Sequence, residues 1–133
     1  MSYLKFDKNL MINLEQSLPK EMLRTNQAGA YHCTTVVGCN TRKQHGLLVV
    51  PLGDEQYNPH VLLSSLDETV VQHDQSFNLA LHRFEGTYEP RGHKYITDFE
   101  YTPTPTITYR VGGVILKKEL LWIHNRTQLM IRY

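Results

Sequence analysis

The sequence predicts a mainly β protein built as an antiparallel β-sandwich, and three observations carry this prediction. Most of the chain divides into short segments rich in β-branched and aromatic residues, which suit a pleated, half-buried surface. Turn residues separate these segments about every 8 to 12 residues, a spacing typical of sandwiches. Helical periodicity is confined to the start of the chain. With 133 residues in all, we expect residues 1–133 to form one domain with a hydrophobic core.

The first elements follow from local patterns. Leucine recurs at every fourth position over residues 10–18, which predicts a short helix that Pro19 ends. Residues 31–37 are rich in Thr, Val and Tyr and predict a strand. Residues 46–52 form an apolar run that closes at Pro51, as expected for a strand buried on both faces.

The middle of the chain predicts further strands. Residues 61–66 and 69–73 predict two strands on either side of Asp67 and Glu68, a short turn whose acidic side chains we expect to be solvated. Residues 76–84 alternate between apolar and polar side chains, as in a half-buried strand.

The last third of the chain predicts one loop and one hairpin. Residues 85–105 hold three of the six prolines and two glycines, so we expect a surface loop rather than a strand. Residues 106–111 and 114–123 flank a Gly-Gly pair at 112–113, which can supply the positive backbone angles of a tight hairpin. A further turn precedes a final strand over residues 127–133.

Composition and charge exclude several classes of function. The formal net charge is +1 with histidine neutral, so no basic surface points to nucleic acid or to an anionic membrane. The first 18 residues carry charges throughout and lack an apolar core, which is not the pattern of a signal peptide. No segment is apolar over the length that a bilayer requires. We therefore expect a cytoplasmic protein that binds neither nucleic acid nor membrane.

His32, Cys33, Cys39 and His45 raise the question of a zinc site, because imidazole and thiolate groups are zinc ligands. Their spacing lacks the close cysteine pair of structural zinc sites. His32 and Cys33 are also neighbours on a predicted strand, so their side chains point to opposite faces. We expect no metal and no other cofactor, and we interpret both cysteines as small buried apolar residues.

No group of residues predicts a catalytic centre in this chain. Glycoside hydrolysis needs two carboxyl groups roughly 5 to 9.5 Å apart, and the sequence singles out no such pair. The serines lack the Gly-x-Ser-x-Gly context of a nucleophile elbow. We therefore predict no catalytic residue.

Polar residues that cluster at turn ends predict a recognition site instead. Arginine supplies fixed, forked donors, and asparagine both donates and accepts, so both suit hydroxyl-rich ligands. The alternative is that the asparagines serve turn geometry and that the arginine is a solvated cation. The candidate residues for substrate binding, or for docking another domain, are Asn26, Asn40, Thr41, Arg42 and His45.

This polar cluster lies within two longer motifs. The residues that carry them are Thr25, Asn26, Gly29, Tyr31, Gly38, Thr41, Arg42, His45, Gly46, Leu47, Leu48 and Val49. They match the runs Thr-Asn-Gly-x-Gly-Gly-Tyr and Gly-x-x-Thr-Arg-x-Tyr-His-Gly-Leu-Leu-Val. The pattern resembles the N-terminal domain of bacterial and archaeal-type glycogen debranching enzymes, the amylo-α-1,6-glucosidase family. The resemblance continues through residues 62–70, 88–99 and 105–133.

The chain departs from the family pattern at four positions. Gln27 and Ala30 stand where the family has glycine, Gln44 stands where it has tyrosine, and Met22 replaces a frequent tryptophan. The two glycine losses argue against a close approach of the backbone at these positions. The loss of the ring at position 44 removes a face on which a sugar could stack.

The resemblance implies a two-domain enzyme. Its N-terminal part would be a β-sandwich of the supersandwich type, similar to those of glucoamylases and galactose mutarotase. A separate helical barrel would carry the acid and base that hydrolyse the α-1,6 branches of glycogen. The chain stops on a predicted strand at Tyr133. We expect it to be this sandwich, or its first half, without the barrel.

The partners implied by the resemblance are glycogen or another branched α-glucan and the catalytic barrel of the same enzyme. The turn at residues 40–45 would face the glucan or the mouth of the barrel. Arg42 would bond to sugar hydroxyls or to a barrel carboxylate, and His45 would orient it. Two alternatives stay open, a stand-alone α-glucan-binding module and a purely structural domain. A truncated sandwich would also leave apolar edges that favour self-association.

Overall fold

The structure, a computed structural model, describes residues 4–53 and 58–133. Within these ranges the chain forms thirteen strands, two short α-helices and one 3-10 helix. In chain order they are β1 (Leu4–Asp7), α1 (Lys8–Ile12), α2 (Leu14–Ser17), β2 (Glu21–Thr25), β3 (Tyr31–Thr35), β4 (Gly46–Pro51), β5 (Pro59–Leu63), β6 (Thr69–Gln72), β7 (Gln75–Asn78), β8 (Leu81–Phe84), β9 (Thr87–Arg91), the 3-10 helix (Gly92–Tyr95), β10 (Ile96–Tyr101), β11 (Pro105–Val111), β12 (Val114–Trp122) and β13 (Leu129–Arg132).

Two antiparallel sheets form the body of the fold. One has five strands in the order β1-β10-β11-β12-β13, and the other has four in the order β2-β3-β4-β5. Two further pairs, β6 with β7 and β8 with β9, form separate hairpins. Among the described residues no sheet closes into a barrel. The predicted class, a mainly β antiparallel sandwich, is confirmed.

The hydrophobic core combines side chains from both sheets and from α1. Phe99 of β10, Met11 of α1 and Met22 of β2 all belong to one buried cluster. In β2 the buried Met22 lies between Glu21 and Leu23, which are exposed. Since successive side chains of a strand point to opposite faces, β2 turns one face to the core and leaves the other open.

The predicted hairpin near the end of the chain is confirmed. Val111 of β11 pairs with Val114 of β12, and the two residues between them make the turn. Gly112 and Gly113 have φ angles of 53° and 84°. Residues other than glycine are strained in this left-handed region, because their Cβ atom crowds the backbone. The Gly-Gly pair therefore sets both the turn and the register of the two strands.

The predicted helix at the start is present as two shorter helices. Asn13 separates them, and its Oδ1 accepts the N–H of Glu15 at 3.1 Å, which caps α2. Asp7 caps α1 in the same way through the N–H of Leu10. No helix in the described part of the chain has the length and apolar character needed to cross a membrane.

The prediction of a surface loop over residues 85–105 is wrong. This segment contains β9, the 3-10 helix and β10, and β10 lies between β1 and β11 in the five-stranded sheet. Ile96 and Phe99 are fully buried. The prolines do not interrupt the central ladder, because Pro90 lies in a two-stranded hairpin and Pro105 opens β11.

Two predictions for the middle of the chain need correction. β5 pairs with β4, and β6 pairs with β7, so the residues between β5 and β6 connect two sheets instead of closing a hairpin. The single strand predicted over residues 76–84 is two strands. Asn78 ends β7 because its Oδ1 accepts the N–H of Ala80 at 2.9 Å, a local bond that competes with strand pairing.

Both acids of this connection contact other side chains, but only Glu68 is removed from water, so the expectation of solvated acids is wrong for Glu68 and holds for the exposed Asp67. Oε1 of Glu68 lies 2.5 Å from Nζ of the buried Lys118 and accepts the hydroxyl of Tyr133, also at 2.5 Å. Oδ2 of Asp67 lies 2.8 Å from Nε2 of His82. A charge removed from water needs a partner, so these bonds hold the connection against β8 and β12.

His32 is a polar residue that lies fully buried in the core. Neither ring nitrogen has a hydrogen-bond partner among the described residues, and the ring packs on Trp122 with 5.5 Å between centroids. Burial, and then the charge of Arg24 opposite it on β2, lower the pKa of His32 from 6.5 to about 4. The folded protein therefore keeps this imidazole neutral at neutral pH.

We expect the chain to lose stability as the pH falls from 6.5 to about 4. In this window the unfolded histidine binds a proton that folded His32 does not bind, so acid favours the unfolded state. The shift corresponds to a loss of up to roughly 3 kcal/mol in the free energy of unfolding. Urea titrations at several pH values across the window measure the loss.

Two variants isolate the contribution of His32 to this pH dependence. His32→Phe keeps a ring in the core but cannot bind a proton, so its stability should fall much less with acid. His124→Gln changes an exposed histidine and should keep the full pH dependence. Equal pH dependence in His32→Phe and the parent chain would contradict the assignment.

Candidate functional site

The polar turn at residues 40–45 connects β3 to β4, and bonds to Thr35 fix where it begins. The hydroxyl of Thr35 donates to the carbonyl oxygen of Cys39 at 2.8 Å and accepts its N–H at 3.0 Å. Gly38, with φ of 78°, donates its N–H to the carbonyl of Thr35. Cys39 is fully buried, which confirms its interpretation as a packing residue.

Asn40 binds the turn to the neighbouring strands. Its Oδ1 accepts the hydroxyl of Thr34 at 2.8 Å, and its Nδ2 donates to the carbonyl of Ser64 at 2.9 Å and to that residue's hydroxyl at 3.2 Å. Both ends of the amide are therefore engaged within the protein. Asn40 joins β3 to the segment that follows β5.

His45 lies at the centre of the turn with its side chain fully buried. Its Nδ1 accepts the backbone N–H groups of Thr41 at 2.9 Å and Arg42 at 3.2 Å. Because Nδ1 accepts, the proton of the neutral ring lies on Nε2. Nε2 then donates to Oε1 of Glu21, 2.7 Å away. The ring thus links the backbone of the turn to the first residue of β2.

Arg42 is the exposed member of this group. Its Nε lies 2.8 Å from the same Oε1 of Glu21 that His45 contacts, and its side chain is 59% exposed. One carboxylate oxygen therefore holds both the buried ring and the exposed guanidinium. Sequence reasoning missed Glu21, because its contacts are to residues 21 and 24 positions further along the chain and no local pattern indicated them.

Asn26 lies apart from this group, at the other end of β2, and is fully buried. Its Oδ1 accepts the N–H groups of Ala28 at 2.8 Å and Ala30 at 3.1 Å. Its Nδ2 donates to the carbonyl of Arg126 at 3.1 Å. Asn26 therefore shapes the β2–β3 turn and ties it to the turn between β12 and β13. The five predicted residues do not form one cluster: Asn40, Thr41, Arg42 and His45 lie together, and Asn26 does not.

The family's glycine positions in the β2–β3 turn keep part of their backbone geometry. Gln27, which replaces a glycine, has φ of 64°, and Gly29 has φ of 94°. A side chain at Gly29 would meet the ring of Pro51 at 3.0 Å. Gln27 therefore adopts a left-handed backbone conformation that glycine accepts more readily. Ala30 is buried and does not have a positive φ.

A concave surface covers the outward faces of β2 and β3. Its volume is about 670 Å³, and its lining includes Glu21, Leu23, Gln27, Tyr31, Cys33 and Gln44. We call it the β2–β3 groove. Cys33 lines this groove and is only half-buried, which corrects its interpretation as a buried residue. Burial, and then the Glu21 carboxylate, raise the pKa of the Cys33 thiol.

We expect Asn26→Ala to destabilise the fold by about 2 to 4 kcal/mol, because it leaves two N–H groups and one carbonyl without their partner. Urea denaturation measures the difference in the free energy of unfolding. Asn9→Ala is the matched control, since Asn9 is exposed on α1, and it should change stability by less than about 0.5 kcal/mol. A similar effect for both variants would refute the structural role of Asn26.

Most of the chain matches a protein-family model. The model described as glycogen debranching enzyme N terminal matches residues 20–133. This range contains Glu21, the polar turn, Asn26 and the β2–β3 groove. Comparison with curated proteins and with solved structures found no match. The chain belongs to the family of glycogen debranching enzyme N-terminal domains, as the two sequence motifs predicted.

Proposed function

We propose that this chain is the N-terminal domain of an enzyme that hydrolyses the α-1,6 branch linkages of glycogen. The observation that carries the proposal is the family match over residues 20–133. In this proposal a separate catalytic barrel of the same enzyme performs the hydrolysis. The present domain supports binding of the glucan and docks the barrel.

Three carboxylates of the chain support this division of roles. A glycosidase needs one carboxyl group to protonate the leaving oxygen and a second to act as nucleophile or base. Glu21 bonds to His45 and Arg42, Glu68 bonds to Lys118, and Glu119 bonds to Arg132. These carboxylates serve as anchors within the fold, and we assign the catalytic pair to the barrel.

Arg42 is the residue of the polar turn to which we assign contact with a partner. A ligand can reach its exposed side chain, whereas the side chain of His45 is enclosed and Asn40 is bonded to neighbouring strands. Glu21 holds one edge of the guanidinium through Nε. A guanidinium has five N–H donors in a planar fork, which matches two adjacent sugar hydroxyls or a carboxylate of the barrel.

Asn40, Thr41 and His45 have a supporting role in this proposal. The N–H groups of Thr41 and Arg42 both donate to His45 Nδ1, so the buried ring fixes the backbone that carries Arg42. An arginine on a rigid turn loses less conformational freedom on binding than one on a mobile loop. The cytoplasmic location, the separation from a barrel and self-association through apolar edges stay predictions.

A stand-alone α-glucan-binding module is the second candidate function. The observation that favours it is the β2–β3 groove, a concave surface with apolar and polar residues beside the Glu21–Arg42 pair. A module of this kind would bind glucan without a barrel. The length of the parent reading frame separates the two candidates, since only the first requires a barrel encoded in the same chain.

In the complete enzyme, Arg42→Ala should lower kcat/KM for branch hydrolysis by about 10- to 100-fold. This corresponds to the loss of charge-assisted hydrogen bonds to the glucan or to the barrel. Stability should change little, because an exposed ion pair contributes about 0 to 1 kcal/mol. Glucose release from a branched dextrin gives the rate, and a thermal melt gives the stability.

Arg110→Ala is the matched control, because Arg110 is an exposed arginine on β11 of the five-stranded sheet, whereas the polar turn connects two strands of the four-stranded sheet. It should leave kcat/KM unchanged. Arg42→Lys keeps the charge without the fork and should recover only part of the rate. Full activity in Arg42→Ala would exclude the assigned contact.

A further inference from the structure

The β2–β3 groove is built from the outward faces of two paired strands. Leu23 pairs with Cys33 across the ladder, and Thr25 pairs with Tyr31. All four lie on the face opposite to the buried Met22. Because the other face of these strands packs in the core, the groove has a rigid floor.

The floor of the groove is apolar at its centre. Leu23 is 61% exposed and lines the groove. The ring of Tyr31 stands beside it, and the Tyr31 hydroxyl donates to the carbonyl oxygen of Gln44 at 3.0 Å. A tyrosine hydroxyl carries its proton at neutral pH, and burial raises the pKa of Tyr31 further. The aromatic ring is therefore held in place.

Polar side chains surround this apolar centre. Glu21 stands at one end, and its carboxylate is already oriented by His45 and Arg42. Gln27 and Gln44 line other parts of the rim and offer amide donors and acceptors. An apolar centre with a few fixed polar groups is the usual composition of a small-molecule site, and about 670 Å³ lies within the roughly 300 to 1,000 Å³ of such sites.

We propose that the β2–β3 groove binds a segment of an α-glucan chain. A pyranose ring has C–H groups on its faces and hydroxyls on its rim, which match the Leu23 and Tyr31 surface and the surrounding Glu21, Gln27 and Gln44. This inference rests on the proposed function for the identity of the sugar. The groove also shares Glu21 with Arg42, so the glucan would reach the polar turn from the groove.

The groove also bears on one departure from the family motif. Gln44 replaces a tyrosine, which removes a ring on which a sugar could stack. Tyr31 reaches the backbone of Gln44 with its hydroxyl, so an aromatic ring lies against this position from the neighbouring strand. Tyr31 belongs to the matched motif itself, so in the proposed site it is the aromatic surface that remains when position 44 carries no ring.

Alkylation of Cys33 in the 133-residue chain tests the groove directly. Cys33 lines the groove while Cys39 is fully buried, so iodoacetamide should modify Cys33 first. Maltoheptaose at about ten times its dissociation constant should slow this alkylation about tenfold, because the bound sugar covers the thiol. Cellohexaose, the β-linked control, should not slow it. Mass spectrometry of the Cys33 peptide gives the rate.

A pair of matched variants locates the binding surface. Leu23→Ser should weaken maltoheptaose binding about tenfold in isothermal titration calorimetry, because it removes the apolar centre of the groove. Ile115→Ser is the control, since Ile115 is 64% exposed on β12 of the other sheet, and its affinity should match that of the parent chain. Equal weakening by the two variants, or no protection of Cys33 by maltoheptaose, would overturn the inference.

The complete enzyme separates this inference from the proposed function. In one outcome, maltoheptaose does not protect Cys33 in the isolated chain, and Cys33 in the complete enzyme resists alkylation even without sugar. The barrel would then cover the groove, and the glucan site would be refuted. Branch hydrolysis that still depends on Arg42 would then leave the proposed function intact. Protection of Cys33 by maltoheptaose, combined with a complete enzyme that does not hydrolyse branches, would support the groove and refute the proposed function.

Discussion

The buried ring of His45 is the interaction on which the polar turn depends. Two backbone N–H groups converge on one nitrogen, and the other nitrogen donates to the Glu21 carboxylate. A side chain with one polar atom could not satisfy both sides at once. Without the ring, two partly buried N–H groups and the Glu21 carboxylate would lose a partner, so His45 fixes the turn to the start of β2.

In this arrangement, the residues that form the framework of the turns differ from the residue that a ligand can reach. Asn26, Asn40 and His45 direct their polar atoms to groups of the protein itself. Arg42 stands on this framework with most of its side chain in solvent. The abundance of polar residues in the motif therefore reflects mainly the construction of two tight turns. Far fewer of them are available to a ligand.

Local signals account for the parts of the fold that could be predicted. The β11–β12 hairpin follows from a Gly-Gly pair between two apolar runs, and Pro19 comes just after Leu18, the residue that caps the end of α2. The prediction failed for β10, because its neighbouring prolines suggested a loop although none of them lies within the strand. Whether a proline interrupts a sheet depends on which strand edge it occupies, and that depends on tertiary pairing.

The candidate site could be predicted only in part for a similar reason. The turn and Arg42 lie in one contiguous motif and were found. Glu21 became part of the site through strand register, since its pairing with Thr35 brings the start of β2 beside the end of β3. In the sequence, a glutamate on an exposed strand face looks the same as many other acidic residues. The antiparallel pairing, and not the spacing along the chain, brings this one to Arg42 and His45.

The pairing of distant segments has a consequence for the order in which the protein can be made. β1 joins its sheet through β10, with Leu4 opposite Tyr101, and the Asn26 amide donates to a carbonyl at residue 126. During synthesis β1 therefore waits until residues 96–101 have been made before its partner exists. Until then its unpaired backbone edge is open to other strands. A ribosome that stalls before β10 would release a chain whose first strand has no native neighbour.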